Sequence, residues 1–207
     1  PDRRRMIPFL GPLDPFPPVA TARPELGGLL AVGGALLPDR LLDAYRPTYL
    51  NDLHGWAVRQ YAMSQNYVGG FYTSAIGFGF NTDLLKKKKL PEPKCWADLT
   101  KPIYKGQVVM PNPASSGTGY FDVTAWLTLF GDDNGKGGGW KFMDGLHENI
   151  AQYTHSGSKP CNMAASGEIV VGISFEYRAN ANKAKGAPID LVFPKEGLGW
   201  DLEAFAI

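Results

Sequence analysis

Twice in this chain an apolar strand runs into a turn of proline, serine, threonine and glycine, and a helix begins where the turn ends. The first unit is Gln107-Val108-Val109-Met110, then Pro111 to Gly119, then an apolar helical pattern from Tyr120 to Phe130. The second is Ala151-Gln152-Tyr153-Thr154, then Ser156-Gly157-Ser158-Lys159, with Pro160 suited to a first helical turn. A strand punctuated this way and followed by a helix packs that helix back onto a sheet. The pattern extends from residue 74 onward. Ser74 to Thr82, uncharged and glycine-rich, predicts a buried strand that another backbone approaches closely. Asp83–Lys89 and Trp96–Leu99 predict short helices, and Trp140–Asn149 an amphipathic one. Ile169–Phe175 is apolar on both faces, which predicts a central strand of parallel type. Asn180–Gly186 reads as a helical return, Ile189–Pro194 as a strand, and Leu202–Ile207 as the start of another. The fold class is α/β, a sheet with helices on its faces.

In such sheets ligands bind beyond the carboxyl ends of the strands, where both turns fall. The first N–H groups of a helix have no partner within it, and with the helix dipole they favour an oxyanion. Ser115, Ser116 and Thr118 add hydroxyl donors, and Gly117 lets a ligand approach the backbone. Ser156, Gly157 and Ser158 repeat the design. Two such turns argue for one shared anion site. The same residues also fit an ordinary helix cap with no ligand.

Other chemistries find less support. A net charge of +1 gives no basic excess for nucleic acid, and Lys86–Lys89 reads as the solvated end of a short helix. There is no Gly-x-Ser-x-Gly, no nucleotide-binding glycine motif and no metal-ligand cluster at suitable spacing. His155 adjoins Ser156 and can face a ligand, whereas His147 reads as a surface residue. Glu176-Tyr177-Arg178 follows the strongest strand as a polar cluster or an exposed strand end. Cys95 and Cys161 are either one disulfide or two isolated thiols. With eight prolines before Leu41, residues 1–40 predict an irregular, poorly ordered segment. No signal peptide is recognisable, no apolar run is long enough to span a membrane, and the chain reads as part of a longer protein.

Several stretches together resemble the extracellular solute-binding proteins of ABC importers, in the family-1, ferric-ion-binding-like group. They are Ala75-Ile76-Gly77-Phe78-Gly79-Phe80-Asn81-Thr82-Asp83, Cys95-Trp96-Ala97-Asp98-Leu99, Asn112-Pro113-Ala114-Ser115-Ser116-Gly117-Thr118, Tyr153-Thr154-His155-Ser156-Gly157-Ser158 and Gly167-Glu168-Ile169-Val170-Val171-Gly172. The branch most similar is labelled 2-aminoethylphosphonate-binding, and the likeness covers about residues 41–207. It implies a periplasmic-binding-protein-like, class II, two-lobed fold, present here as one nearly complete lobe and a partial, irregular one. Residues 1–73 would belong to the first lobe, 74–197 to the second, and 198–207 to the return. It implies a periplasmic, monomeric, non-enzymatic protein without cofactor, which traps a small anionic solute and hands it to an ABC permease. Ser115, Ser116, Gly117, Thr118, Ser156, Gly157 and Ser158 would hold the anion, Glu176 an amine, and Tyr177 and Tyr72 the walls. The alternative is ferric ion, which the family's ferric branch holds with two adjacent tyrosines; here Tyr177 stands beside Arg178. Lys159 and Cys161 stand where the family has smaller residues.

Overall fold

The computed structural model describes residues 42–207, so the expectation for residues 1–40 lies outside the described residues. Two compact units share these residues: 42–74 with 201–207 make one, and Ala75–Trp200 the other.

In the first unit α1 (Gly55–Met63) buries Ala57 and Tyr61. The Tyr45 ring lies edge-on to Tyr61 at 6.3 Å and against Phe205 at 5.6 Å. Tyr61 donates its hydroxyl to the Tyr45 carbonyl. Residues 43–47 are irregular, and the first α-helix among the described residues forms after them at α1. β1 (Val68–Asn81) begins six residues before the predicted strand and continues into the second unit.

The second unit follows the alternation in the sequence: α2 (Thr82–Lys88), β2 (Val108–Pro111), α3 (Gly117–Phe130), α4 (Gly138–His147), β3 (Ile150–Thr154), α5 (Lys159–Ser166), β4 (Val171–Phe175), α6 (Glu176–Ala184) and β5 (Ile189–Val192); β6 (Trp200–Ala206) follows, with all but its first residue in the first unit. The strands order as β3-β2-β4-β1-β5, with β6 pairing β1. β2 is parallel to β3 and β4, while β1 is antiparallel to β4 and β5. The fully buried β4 is thus central, as its two-sided apolar sequence requires.

The alternation of side chains along a strand splits the core into two layers. Val108 and Met110 point into the larger one, with Trp96, Trp126, Phe78 and Leu146. Val109 points into the smaller one, with Cys161, Ala164, Ala179 and Ile189 from the α5–α6 side. The glycines of β1 are close-contact positions: a Cβ on Gly77 would lie 2.5 Å from the Val192 carbonyl oxygen, and one on Gly79 3.0 Å from Cys161 Sγ. Asn81 ends the strand by capping α2, accepting from the Asp83 and Leu84 amides at 3.0 and 2.8 Å. Both cysteines are buried and free, so of the two readings the isolated thiols hold. Among the described residues no helix is long and apolar enough to cross a membrane.

Candidate anion-binding site

Because β2 and β3 are parallel neighbours with Pro111 opposite Thr154, their carboxyl ends stop at the same edge of the sheet. The Asn112 amide donates to the Thr154 carbonyl at 2.7 Å, which carries the pairing one residue into the turns. The first turn folds on Asn112, whose carbonyl takes the Ser115 and Ser116 amides and whose Oδ1 takes that of Ala114. In the second, Thr154 Oγ1 donates to the Ser156 carbonyl at 2.8 Å and Ser174 Oγ donates to the Gly157 carbonyl at 2.7 Å.

The turns then meet. Ser115 Oγ and His155 Nδ1 are 2.8 Å apart. Gly157 lies against Thr118, so close that a Cβ there would fall 2.0 Å from Thr118 Oγ1. Gly119 lets α3 start against the strand end, since its Cβ would sit 2.5 Å from the Pro111 carbonyl oxygen. Ser156 Oγ and Ser158 Oγ are 3.2 Å apart. The structure therefore brings together Ser115, Ser116, Gly117 and Thr118 with Ser156, Gly157 and Ser158.

Neither turn uses its serine as a cap. Ser116 precedes α3 and Ser158 precedes α5, and neither side chain makes a capping hydrogen bond. The expectation that a serine or threonine caps these helices gives way to a different arrangement: the hydroxyls engage the opposite turn or each other. The amides at the head of α3 are thereby left without a side-chain acceptor, which suits an incoming anion.

A third helix head adjoins them, where the sequence suggested a strand end. α6 starts at Glu176, directly after β4. Glu176 Oε2 accepts the Ala75 amide at 2.7 Å. Burial raises the Glu176 pKa, against amide hydrogen bonds from Ala75, Glu176 and Tyr177 that lower it. The Tyr177 ring stacks on Phe175 with centroids 6.1 Å apart, and the Arg178 guanidinium lies 5.6 Å from the Tyr177 centroid. Tyr72 belongs to the first unit, where its ring is exposed; the turns belong to the second. His147, read as a surface residue, is 2.6 Å from the Tyr153 hydroxyl and stacks on that ring.

Asp122 carries no motif that marks it in the sequence. It lies on α3, four residues past Thr118 and four before Trp126, and is fully buried. Neither carboxyl oxygen has a hydrogen-bond partner, nor does Trp126 Nε1. Burial alone pushes its pKa well above the usual carboxylate range. Among the described residues no group of three or more His, Cys, Asp or Glu could hold a metal ion.

A family model described as bacterial extracellular solute-binding protein matches residues 38–199. An uncharacterised protein of Haemophilus influenzae is 34% identical over 168 residues, covering 81% of this chain and 47% of that protein. The periplasmic binding protein AfuA from Actinobacillus pleuropneumoniae, solved with exogenous fructose-6-phosphate bound, superposes with a TM-score of 0.71 at 34% identity. That superposition covers 84% of this chain and 54% of AfuA. This chain thus spans about half the length of both. A stretch of 41 residues is 78% identical to the leucyl/phenylalanyl-tRNA–protein transferase of Dechloromonas aromatica, covering 20% of this chain and 18% of that enzyme.

Proposed function

Since the chain belongs to the bacterial extracellular solute-binding proteins, we propose that it serves as the solute-capturing part of an ABC importer and grips its solute by a phosphonate or phosphate-ester group. The observation that carries this reading is the contact between the two turns, Ser115 with His155 and Thr118 with Gly157. It supports one shared site for the two helix heads and the hydroxyls of Ser115, Ser116, Thr118, Ser156 and Ser158. Hydrogen bonds to a charged group are shorter and roughly twice as strong as neutral ones. AfuA, 34% identical and solved with a sugar phosphate, supports the phosphoryl class. Glu176 and Tyr177, at the neighbouring helix head, are the partners for the rest of the solute, whether amine or hydroxyl. Residues 75–200 make up most of one lobe in this reading, and the protein acts in the periplasm as a monomer that presents the loaded form to a permease. No covalent step is involved. The transferase likeness spans 18% of that enzyme and brings none of its activity with it.

The test is a thermal-shift and calorimetry panel on the chain with fructose 6-phosphate, 2-aminoethylphosphonate, inorganic phosphate and spermidine. A ligand at a hundred times its Kd adds about 2.7 kcal/mol of stability, so a Tm rise of roughly 5–10 °C is expected for a phosphoryl or phosphonyl compound. Thr118→Ala should reduce it. A rise with spermidine alone, or none at all, would remove the anion reading.

A further inference from the structure

We propose that Arg178 is the counter-charge of this anion site and sets its preference for doubly charged phosphoryl or phosphonyl groups, an inference that rests on the reading of the two turns given above. Arg178 is the third residue of α6. Its Nε is buried without a hydrogen-bond partner. Among the described residues no carboxylate lies within ion-pair distance of it; the ion pairs seen there are Lys101 with Asp98 and Lys183 with Asp190. The aromatic face of Tyr177, 5.6 Å away, is its cationic contact. A half-buried guanidinium with no acid to face is costly unless an anion reaches it from outside.

Its place in the fold supplies that anion's address. Cations are disfavoured at the positive end of a helix dipole. Yet Lys159 opens α5 and Arg178 sits in the first turn of α6. Two local choices that contradict the dipole rule mark a site where something else settles the balance. The two helices lie side by side, Asn182 Nδ2 donating to Asn162 Oδ1 at 3.0 Å. Ser174, four residues before Arg178, fixes the Gly157 carbonyl of the second turn. The Arg178 charge is felt in the first turn of α5: it pulls the Cys161 thiol down, while burial, the larger influence, pushes it up to about 12. Arg178 thus stands four residues beyond the strand residue that holds the second turn, on a helix paired with α5.

The turns themselves offer amides and hydroxyls, which are neutral donors. They suit one negative charge. A planar guanidinium offers parallel N–H groups and a full positive charge, which suits a second oxygen and a second charge. Phosphate monoesters acquire that charge with a pKa near 6, as phosphoserine does.

Calorimetric titration of the full chain with fructose 6-phosphate, 2-aminoethylphosphonate and the singly charged carboxylate gluconate, at pH 5.0 and 7.5, tests this. The unaltered chain should bind fructose 6-phosphate more tightly at pH 7.5 and gluconate weakly at both. Arg178→Gln should lose roughly tenfold to a hundredfold in affinity at pH 7.5, with little change at pH 5.0, so that the pH dependence collapses. Arg178→Lys should recover part of the loss, and circular dichroism with an unchanged Tm should show both variants folded. If Arg178→Gln keeps the original affinity and pH dependence while Thr118→Ala weakens binding, the role of Arg178 is refuted and the two-turn site stands. If the unaltered chain binds neither phosphoryl nor phosphonyl compound, the site reading fails and this inference goes with it.

Discussion

Replacing Gly157 with alanine puts the contact between the turns under direct strain. The added Cβ would lie 2.0 Å from Thr118 Oγ1 and 2.8 Å from Thr118 Cβ. Ordinary contact begins at 3.4 Å, so the hydroxyl must retreat by about 1.4 Å. The second turn cannot simply back away, because Ser174 Oγ holds its carbonyl at 2.7 Å and Thr154 Oγ1 holds the Ser156 carbonyl at 2.8 Å. Either Thr118 leaves its rotamer or the head of α3 shifts. The former costs of order 0.5–1.5 kcal/mol, and overpacking in a tight region about 1–3 kcal/mol. Gly157→Ala should therefore lower unfolding stability in urea by about 1–3 kcal/mol. It should also weaken binding of fructose 6-phosphate by more than that stability loss implies, because the hydroxyls and amides of the two turns no longer converge. Removing both obstructing atoms supplies the control: in Thr118→Gly/Gly157→Ala, stability should return to within about 0.5 kcal/mol of Thr118→Gly alone, as coupling between touching residues requires. Equal losses from Gly157→Ala in both backgrounds would show that the turns are not in contact, and the argument for a shared site would collapse.

The buried Asp122 makes stability pH-dependent. Its folded pKa is raised by burial, so between about 3.9, the unfolded value, and the folded value the native state binds the extra proton. Stability from this group is fully present below the unfolded pKa and is lost as pH rises through the folded one, at about 1.4 kcal/mol per unit. Asp122→Asn should thus gain on the parent chain progressively from pH 4.5 upward in urea titrations; a pH-independent difference would show that the carboxyl ionises normally. For the ferric alternative, titration with ferric nitrilotriacetate should give no tyrosinate charge-transfer band, because the residue that follows Tyr177 in the chain is Arg178 rather than a second tyrosine. A visible band lost in Tyr177→Phe would reinstate iron.

The two strand–turn–helix units were legible because their punctuation is local: Pro111, Pro113, Ser115–Gly119 and Ser156–Pro160 stop one periodicity and start another. What makes them one site is not local. The pairing of Pro111 with Thr154 comes from strand order, which no spacing in the sequence encodes. α6 was read several residues late because Phe175 passes into Glu176 with no glycine, proline or serine between them. From sequence, Glu176-Tyr177-Arg178 therefore reads as either a polar cluster or an exposed strand end. Asp122 was invisible for the opposite reason: on a helical repeat it reads as an ordinary polar position, and only packing shows that its face of α3 is inside. α1 mixes aromatic and charged residues without a clean apolar stripe, and its helix rests on Ala57 and Tyr61 turning inward together.

One feature of the sheet ties mechanics to occupancy. Among the described residues β3 is its outermost strand on that side and pairs with a single neighbour, β2. Outermost strands fray first, and a slip of one residue would turn every side chain of β3 to the wrong face. Any guest that bridges the ends of β2 and β3 fastens that margin to the body of the sheet. The backbone amides of residues 150–154 should then exchange with heavy water more slowly when the pocket is filled than when it is vacant, which makes the rim of this sheet a reporter of its own cargo.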